Sequence, residues 1–386
     1  MNSGIPLRAA NLRVHNEKII LAEIYARHSA GLSQSELVEL TGLKAPTIFR
    51  MFNSLSEQGL IEPVSEDTIA QNGKRGRKPV NFCVCREARY TIAVEFWAAS
   101  LSIGVFDFWG GRIQSSIQNL SLDMTIDDIV ALIASSIRSI VCMLGIDPCK
   151  ILGVGIAAPG QVDLVTNRVV YYPRIAGMKD YPIVEKLQKL LNYTVILHNN
   201  CSSLSLGEFR YGNFDTGDSM FTFLLRSGVN GTFVDRNTIF VNSRQRTIET
   251  GHIPISTEGP QCSCGMQGCL QAYIRALDKD SSDNLLFEHL DTESEEGKVI
   301  IGQAAGYLHT AAKIIMKMLA PSSFLITACN EKVAAALSDD LERRACSPDA
   351  FGDRMPKIYH TAYNPIYAQR GISDLVLSRY FSEEIV

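Results

Sequence analysis

The chain has 386 residues, of which 46% are hydrophobic and 20% are charged. This length exceeds one typical domain of about 150 residues, so we expect two or three domains. The composition is that of a globular protein, which excludes a wholly disordered chain. No run approaches about 18 consecutive apolar residues, and residues 1–16 lack an apolar signal core. We therefore expect a cytoplasmic protein without membrane insertion.

The formal net charge of −4 is distributed unevenly along the chain. Residues 1–80 contain 10 Lys and Arg against 8 Asp and Glu, whereas the remainder contains 27 against 33. Four basic residues crowd into one short segment: Lys74, Arg75, Arg77 and Lys78. A compact positive segment on an otherwise acidic protein is typical of a chain that contacts a polyanion at one place.

Apolar spacing near the N-terminus predicts three helices. Residues 16–27 place apolar side chains at helical intervals. Ser33 and Glu36 lie within a Ser-Gln-Ser-Glu sequence that resembles a capping box, so a second helix begins there and ends near Gly42. After a short turn, Pro46 falls in the first turn of a third helix, where proline is tolerated.

Two short strands, residues 60–64 and 80–84, flank a polar loop after these helices. Three helices followed by a two-stranded wing resemble the winged helix-turn-helix of bacterial repressors. The resemblance implies that the third helix enters the major groove of DNA. Its exposed candidates for contact with bases and phosphates are Lys44, Thr47, Arg50 and Asn53. The alternative is a small helical bundle that binds another protein.

The basic segment of Lys74, Arg75, Arg77 and Lys78 falls inside the polar loop and precedes Pro79. It resembles the Arg-Gly-Arg-Pro cores that lie in narrow minor grooves, where arginine meets concentrated negative potential. A solvated linker between domains is the alternative, because Gly, Lys and Pro also suit linkers. Under either interpretation the segment marks a boundary, so we expect a DNA-binding domain at 1–80 and a second domain at 81–386.

From Tyr90 onward the chain alternates strand-like and helix-like segments. The spacing predicts strands at 90–96, 101–108 and 112–121, a helix at 126–144 and a buried strand at 151–157. Such alternation implies α/β lobes. Three hundred residues suit two lobes with a ligand cleft between them.

Three local patterns in this region resemble one family. Residues 153–163 read as a strand that runs into a Pro-Gly turn, and Asn199-Asn200 precedes a helix. Glu249-Thr250-Gly251-His252 and the Cys-Ser-Cys-Gly-Met-Gln-Gly-Cys element at 262–269 follow. With the winged helix, these resemble the ROK family (repressor, open reading frame, kinase). The resemblance implies an actin-like, hexokinase-type (ribonuclease H-like) pair of α/β lobes behind the DNA-binding domain.

The cysteine element predicts a metal site. Cys262, Cys264 and Cys269 supply three thiolates within eight residues, and intervening glycines allow the loop to fold back. Three thiolates and one imidazole complete a closed tetrahedral zinc site, which is structural because no position is left for a reactive water. The family resemblance implies His252 as the fourth ligand. Three buried free thiols are the alternative.

The resemblance also implies that the kinase apparatus has been lost. Family kinases carry an Asn-Asp pair where this chain has Asn199-Asn200, and an amide cannot accept the proton of a sugar hydroxyl. Their Asp-Gly-Gly-Thr phosphate loop corresponds to Glu-Phe-Trp-Ala-Ala at 95–99, whose bulky side chains obstruct the approach of phosphate to the backbone. The turns at 226–231 and 326–330 are also altered. We therefore expect no kinase activity and no enzyme.

The sugar-contacting positions of the family are better preserved. Asn199, Glu249 and His252 are retained, whereas Asn200 and Gln271 replace carboxylates. Amide and carboxylate groups supply the donors and acceptors that sugar hydroxyls need. Gln271 follows Cys269 closely, so zinc would orient it. The alternative is a vestigial cleft.

We therefore expect a regulator, most simply a repressor of carbohydrate genes that binds double-stranded operator DNA. A sugar or sugar-phosphate effector between the lobes would alter the spacing of DNA-binding domains in a homodimer or homotetramer. A sugar kinase that retains a DNA-binding arm is the main alternative. Control by a transporter component that docks on the zinc-bearing region is another.

Overall fold

The computed structural model describes residues 9–27, 30–64, 80–278, 285–345 and 356–382. Within these residues three large hydrophobic cores form, one in an N-terminal domain and one in each of two α/β lobes. The basic segment expected to contact DNA, with Lys74, Arg75, Arg77 and Lys78, lies outside the described residues.

The N-terminal domain is the expected three-helix unit with a two-stranded wing. Its helices are α1 (Ala9–Ala26), α2 (Gln34–Thr41) and α3 (Ala45–Glu57). Strands β1 (Ile61–Pro63) and β2 (Phe82–Val84) pair antiparallel, with Ile61 opposite Val84, so this hairpin extends beyond residue 80. Helix α1 begins earlier than residue 16. Its first turns contain alanine, asparagine and arginine, which continue a helix without marking an apolar face.

Local capping sets the helix-turn-helix geometry. The predicted capping box is present, because the Ser33 hydroxyl accepts from Glu36 N at 3.3 Å and Glu36 accepts from Ser33 N at 2.8 Å. Gly42 ends α2 with φ +68°, a left-handed conformation that glycine adopts without strain. Lys44 is the N-cap residue of α3, and Pro46 lies in its first turn.

The first lobe contains a five-stranded sheet in the order β10-β6-β3-β4-β5. Strands β10, β6 and β3 run parallel from one edge of the sheet to its middle, and β4 and β5 extend it antiparallel. These strands are β3 (Tyr90–Phe96), β4 (Ser100–Asp107), β5 (Arg112–Asn119), β6 (Ile151–Ala158) and β10 (Val195–Asn199). The helices are α4 (Ile126–Met143), α5 (Ile183–Leu191) and α6 (Asn200–Tyr211), and a small sheet comprises β7 (Gln161–Asp163), β8 (Arg168–Tyr171) and β9 (Lys179–Tyr181).

The second lobe contains another five-stranded sheet, in the order β13-β12-β11-β14-β15. Its strands are β11 (Ser219–Leu225), β12 (Val229–Asp235), β13 (Thr238–Ile239), β14 (Ser323–Ala328) and β15 (Lys357–Ala362). Its helices are α7 (Leu270–Leu277), α8 (Glu295–Met318) and α9 (Glu331–Ala345). Helix α8 is long and apolar enough to cross a membrane by length and composition. Its apolar residues pack in the core of this lobe, which accounts for that composition.

The last helix, α10 (Pro365–Ser382), returns to the first lobe and packs against α6 and the central strands β3 and β6. Its C-terminal end reaches the N-terminal domain. Leu377 belongs to the core of that domain, and the Phe381 ring lies 5.2 Å from the Tyr25 ring of α1. Helix α10 therefore joins the first lobe to the N-terminal domain through a continuous apolar contact.

Candidate functional site

A cavity of about 390 Å³ lies between the two lobes. The first lobe supplies Trp97, Gly160 and Asn199, together with residues after β8. The second lobe supplies the turn between β11 and β12, the segment before the cysteine loop, and one face of α7. A cleft with walls from two lobes is where we expect a small ligand to bind.

Asn199 fixes the start of α6 at the cleft wall. Its Oδ1 accepts from Cys201 N at 2.8 Å, which caps the helix. Its Nδ2 donates to the carbonyl of Gly160 at 2.7 Å. Gly160 has φ +79°, and a Cβ there would lie 2.4 Å from the carbonyl oxygen of Tyr171, so glycine is required at this turn. Asn199 thus holds helix and turn together while it borders the cavity.

Asn200 lies behind the cleft wall and not on it. Its side chain is buried, with 1% exposure, and its Nδ2 donates to the carbonyl of Phe96 at 3.0 Å. Its Oδ1 is buried without a hydrogen-bond partner among the described residues. The structure therefore brings Asn199, Glu249, His252 and Gln271 to the cavity lining, but not Asn200.

Aromatic residues fill the region where the family resemblance implies a phosphate loop. Trp97 Nε1 donates to the Tyr363 hydroxyl at 3.0 Å, and that hydroxyl donates to the buried carboxylate of Glu95. The Arg226 guanidinium lies 4.2 Å from the centre of the Trp97 ring and 4.8 Å from that of Tyr363. We call Glu95, Trp97, Arg226 and Tyr363 the aromatic side of the cleft.

The charges on the aromatic side compensate each other. Burial raises the pKa of Glu95, and Arg226 and the Tyr363 hydroxyl oppose this by stabilising the carboxylate. Cation-π contacts of a guanidinium with two rings contribute roughly 1 to 2 kcal/mol where water is excluded. The aromatic side is therefore a mutually supporting set of side chains, of which Trp97 and Arg226 also border the cavity.

Polar side chains occupy the opposite part of the cleft. Glu249 precedes a single 3₁₀ turn, Thr250–His252, and burial raises the pKa of its carboxyl to about 7. Gln271 lies in the first turn of α7, where its Oε1 accepts from Val229 N at 3.1 Å. We call Asn199, Glu249 and Gln271 the polar side of the cleft. These groups offer both donors and acceptors to hydroxyl groups.

The four predicted metal ligands converge next to the polar side. The ligand atoms of His252, Cys262, Cys264 and Cys269 all lie within 4.8 Å of one another. Cys264 Sγ is 3.7 Å from Cys269 Sγ, and Cys262 Sγ is 3.3 Å from His252 Nδ1. Tetrahedral zinc with Zn–S bonds of about 2.3 Å would separate sulfurs by about 3.8 Å. The donor set and its spacing thus fit a closed metal centre.

The cysteine loop positions α7. Cys269 is the N-cap residue of α7, and the amide of Leu270 donates to the carbonyl of Ile253 at 2.9 Å. Gly268 has φ +75°, and a Cβ there would lie 2.0 Å from the carbonyl oxygen of Ser256. Because Gln271 and Arg275 are four residues apart, they lie on one face of α7, and both border the cavity.

Arginines at the cleft were missed by sequence reasoning. Arg174 and Arg275 each donate to the carbonyl of Ser227 at 2.9 Å, and Arg226 covers Trp97. The four-residue spacing between Gln271 and Arg275 could have identified Arg275 as a neighbour on the same helix face. No spacing in the sequence identifies Arg174 as a cleft residue, because the loop after β8 brings it to the cavity only in the folded structure.

The candidate DNA-contacting face lies on α3. Lys44, Arg50 and Asn53 are exposed, Thr47 is half-buried, and the opposite face of the helix packs in the domain core. Phe49 is also 54% exposed on this helix and was not singled out from the sequence. The structure thus leaves all four predicted side chains of α3 at least partly accessible to a partner.

Family comparisons match both parts of the chain. The ROK family matches residues 99–327, and the IclR helix-turn-helix domain matches residues 24–65. A xylose repressor of Bacillus subtilis (strain 168) is 22% identical over 284 residues, which span 73% of this chain and 69% of the repressor. A glucokinase of Thermotoga maritima is 25% identical over 185 residues, which span 48% of this chain and 57% of the kinase.

Solved structures share the fold. A ROK family transcriptional regulator, a homolog of the E. coli MLC protein, superposes with a TM-score of 0.75 at 18% identity and covers 97% of this chain and 100% of its own. A ROK glucokinase from Streptomyces griseus in complex with glucose and AMPPNP gives a TM-score of 0.62 at 20% identity, covering 75% of this chain and 99% of its own. The kinase covers a smaller share of this chain than the regulator does.

Proposed function

Because the chain belongs to the ROK family, we propose that it is a transcriptional repressor controlled by a sugar-type effector, and that its cleft binds this effector without phosphorylating it. The DNA-binding part is the domain matched as an IclR helix-turn-helix. The observation that carries the proposal is the contrast inside one cleft. The polar side presents amide and carboxyl groups to the cavity, whereas on the aromatic side the side chains of Trp97, Arg226 and Tyr363 pack on one another.

Two features argue against phosphoryl transfer. Asn200 provides no carboxylate to accept a hydroxyl proton, and its amide is held by the carbonyl of Phe96. The Trp97 ring and the Arg226 guanidinium fill the space that a phosphate cradle needs. Phosphoryl transfer depends on positioned phosphates and charge stabilisation, so loss of both base and cradle leaves little catalysis.

A signal from the cleft has a continuous route to the DNA-binding domain. Helix α6 begins at the cleft, where Asn199 caps it. It ends with Arg210 and Tyr211, which donate to Asp374 of α10 at 2.7 and 2.9 Å. Helix α10 then packs on α1 through the rings of Phe381 and Tyr25. We infer that effector binding shifts α6 and that α10 transmits the shift to the DNA-binding domains of a homodimer or homotetramer.

We propose that His252, Cys262, Cys264 and Cys269 hold one structural zinc ion. When bound, the ion would cross-link the loop and supply folding energy. The chain's own residues then orient the site, because Cys269 starts α7 and thereby directs Gln271 toward the cavity. We place this zinc-bearing regulator in the cytoplasm, where thiols stay reduced.

The test of DNA binding uses the full chain. Selection from a random pool of DNA duplexes should enrich an inverted repeat, because two-fold symmetry of the protein is matched by the operator. Arg50→Ala should weaken binding to the selected duplex by roughly ten- to a hundredfold. Arg138→Ala, an exposed arginine on α4, is the matched control and should leave binding unchanged. Failure to enrich any sequence would refute the repressor proposal.

The test of the effector and of catalysis uses the same protein. Release of the selected duplex is screened against neutral sugars and sugar phosphates, and at least one should release it. ADP formation with a panel of hexoses should stay at background for the wild-type chain and for Asn200→Asp, because the aromatic side still excludes nucleotide. Turnover above background in the wild-type chain would favour the kinase alternative.

A further inference from the structure

Phe49 places a large aromatic ring on the solvent side of α3, where it is 54% exposed. Phenylalanine is among the side chains most often fully buried, because contact of its ring with water is unfavourable. The buried face of α3 is complete without it, since Ile48, Met51, Phe52 and Leu55 fill the core of the domain. Phe49 is not part of that core among the described residues. The packing of this domain therefore does not require an aromatic ring at position 49.

The neighbours of Phe49 on the helix surface are small or polar. Residues four apart lie next to each other on a helix, so Phe49 lies between Ala45 and Asn53 on one strip. All three residues are exposed. Arg50 lies beside this strip, and its Nε donates to the carbonyl of Pro46 at 3.4 Å in the first turn. The ring thus stands out from the exposed face, with a methyl group on one side and an amide on the other.

The charge of this face indicates the kind of partner that covers it. Lys44 and Arg50 are exposed and positively charged, and the only acidic residue of α3 is Glu57, at its end. A positive face suits a polyanion. The IclR helix-turn-helix match spans residues 24–65 and includes all of α3. Because the second helix of such a motif lies in the major groove, double-stranded DNA is the partner whose chemistry fits this face.

Base edges in the major groove offer one alkyl group. Hydrogen-bond donors and acceptors line the groove, and among them only thymine carries a methyl group, at C5. A phenyl ring forms no conventional hydrogen bond, so covering a donor or an acceptor would remove its water without replacement. The favourable contact of the ring is with the methyl group, because both apolar groups then leave water together.

From this arrangement we infer that Phe49 is a specificity-determining residue that selects thymine through its C5-methyl group. Arg50 and Asn53 make the polar contacts with neighbouring bases, and Lys44 contacts the phosphate backbone. Each half-site of the operator then carries a thymine at the position that faces Phe49. This inference rests on the proposed function, because it specifies a base that the DNA-binding domain selects.

Replacement of thymine by uracil tests the contact, because uracil lacks only the methyl group. In the duplex selected by the full chain, each symmetric pair of thymines is replaced in turn. One pair should weaken binding by about fourfold for each methyl group removed, the effect of burying one carbon group. At the same position, 5-methylcytosine should bind more tightly than cytosine, because it restores the methyl group. Competition binding followed by fluorescence anisotropy measures each affinity.

Variants of the chain identify the side chain responsible. Phe49→Ala should bind the thymine and uracil duplexes equally, because no ring remains to cover the methyl group. Phe49→Leu keeps an apolar side chain and should keep most of the preference for thymine. Leu40→Ala removes another exposed apolar side chain, on the neighbouring helix α2, so it is the matched control and should keep the full preference. Thermal unfolding of each variant checks that it folds.

The outcomes separate this inference from the proposed function. If the chain binds its selected duplex but no uracil replacement weakens binding, the inference is wrong and the proposed function stands. The same holds if Phe49→Ala keeps the preference for thymine, since another side chain then contacts the methyl group. A change of molar mass in Phe49→Ala with that preference intact would place Phe49 at a protein interface instead. If no duplex is selected at all, both the repressor proposal and this inference fail.

Discussion

The two sides of the cleft differ in how their polar groups are satisfied. On the aromatic side, the Tyr363 hydroxyl bonds to Glu95 and to Trp97, and the Arg226 guanidinium covers both rings, so these side chains contact mainly one another. On the polar side, Asn199 and Gln271 each bond to one backbone group of a neighbouring segment and still border the cavity. The comparison teaches that two parts of one cleft can differ in whether their side chains contact mainly one another or mainly the backbone around the cavity.

The largest expected effect concerns the proposed metal centre next to the polar side. Cys269→Ser removes a proposed ligand that is also the N-cap residue of α7, so we expect loss of zinc and of about 5 kcal/mol of stability. Metal content and thermal unfolding measure the two effects. Cys142→Ser, at an exposed cysteine of α4, is the matched control and should change neither. An unchanged zinc content in Cys269→Ser would contradict the proposed ligand set.

On the aromatic side, Trp97→Ala should destabilise the protein by about 3 to 5 kcal/mol, because it leaves a cavity beneath Arg226. Trp97→Phe keeps most of the ring but loses the bond to Tyr363, so it should cost only about 1 kcal/mol. Denaturant unfolding measures both variants. If both variants lost the same free energy of unfolding, the hydrogen bond to Tyr363, and not the packing of the ring, would account for the stability that Trp97 contributes.

Two buried glutamates, Glu208 behind the cleft and Glu95 on the aromatic side, differ in whether a partner stabilises the carboxylate, and pH tests this difference. Burial raises the pKa of Glu208 on α6 to about 8, and its Oε1 has no partner among the described residues. A carboxyl with a raised folded-state pKa is stabilising when protonated, so this contribution is complete below about pH 4.5 and is lost as pH rises through about 8. Glu208→Gln should therefore remove that dependence and stabilise the protein by roughly 2 to 4 kcal/mol at pH 9.

Glu95→Gln is the counterpart on the aromatic side. It leaves Arg226 without its buried countercharge, so it should destabilise the protein at neutral pH instead of stabilising it. Unfolding free energies of both variants from pH 5 to 9 provide the measurement. If both substitutions shift stability in the same direction at pH 9, the distinction between a partnered and an unpartnered carboxyl is wrong.

The smallest expected effect on stability lies at the far end of α6. Tyr211→Phe removes a hydroxyl that donates to Asp374, while Arg210 still pairs with that carboxylate, so the cost should be about 1 kcal/mol. Affinity for operator DNA should change less than twofold, but release by effector should weaken. Titrating release with the effector measures this response. An unchanged response would show that α6 does not carry the signal.

Most of the fold could be predicted from the sequence, but the cleft could be predicted only in part. The capping box at Ser33, the third helix and the cysteine loop depend on contacts between residues close in the chain, so spacing alone identifies them. The strands of the first lobe were predicted to within a few residues at each end. The early start of α1 at Ala9 was missed because its first turns show no apolar period.

The sequence alone determined the helix-turn-helix, the alternating lobes and the set of cysteines, because each is encoded in a local pattern of polarity or ligand type. Only the tertiary structure decided that Asn200 does not border the cavity, that Tyr363 bonds to Glu95, and that Arg174 meets Arg275 at Ser227. These contacts join residues far apart in the chain. Their geometry follows from the packing of strands, loops and helices into two lobes, which no local spacing specifies.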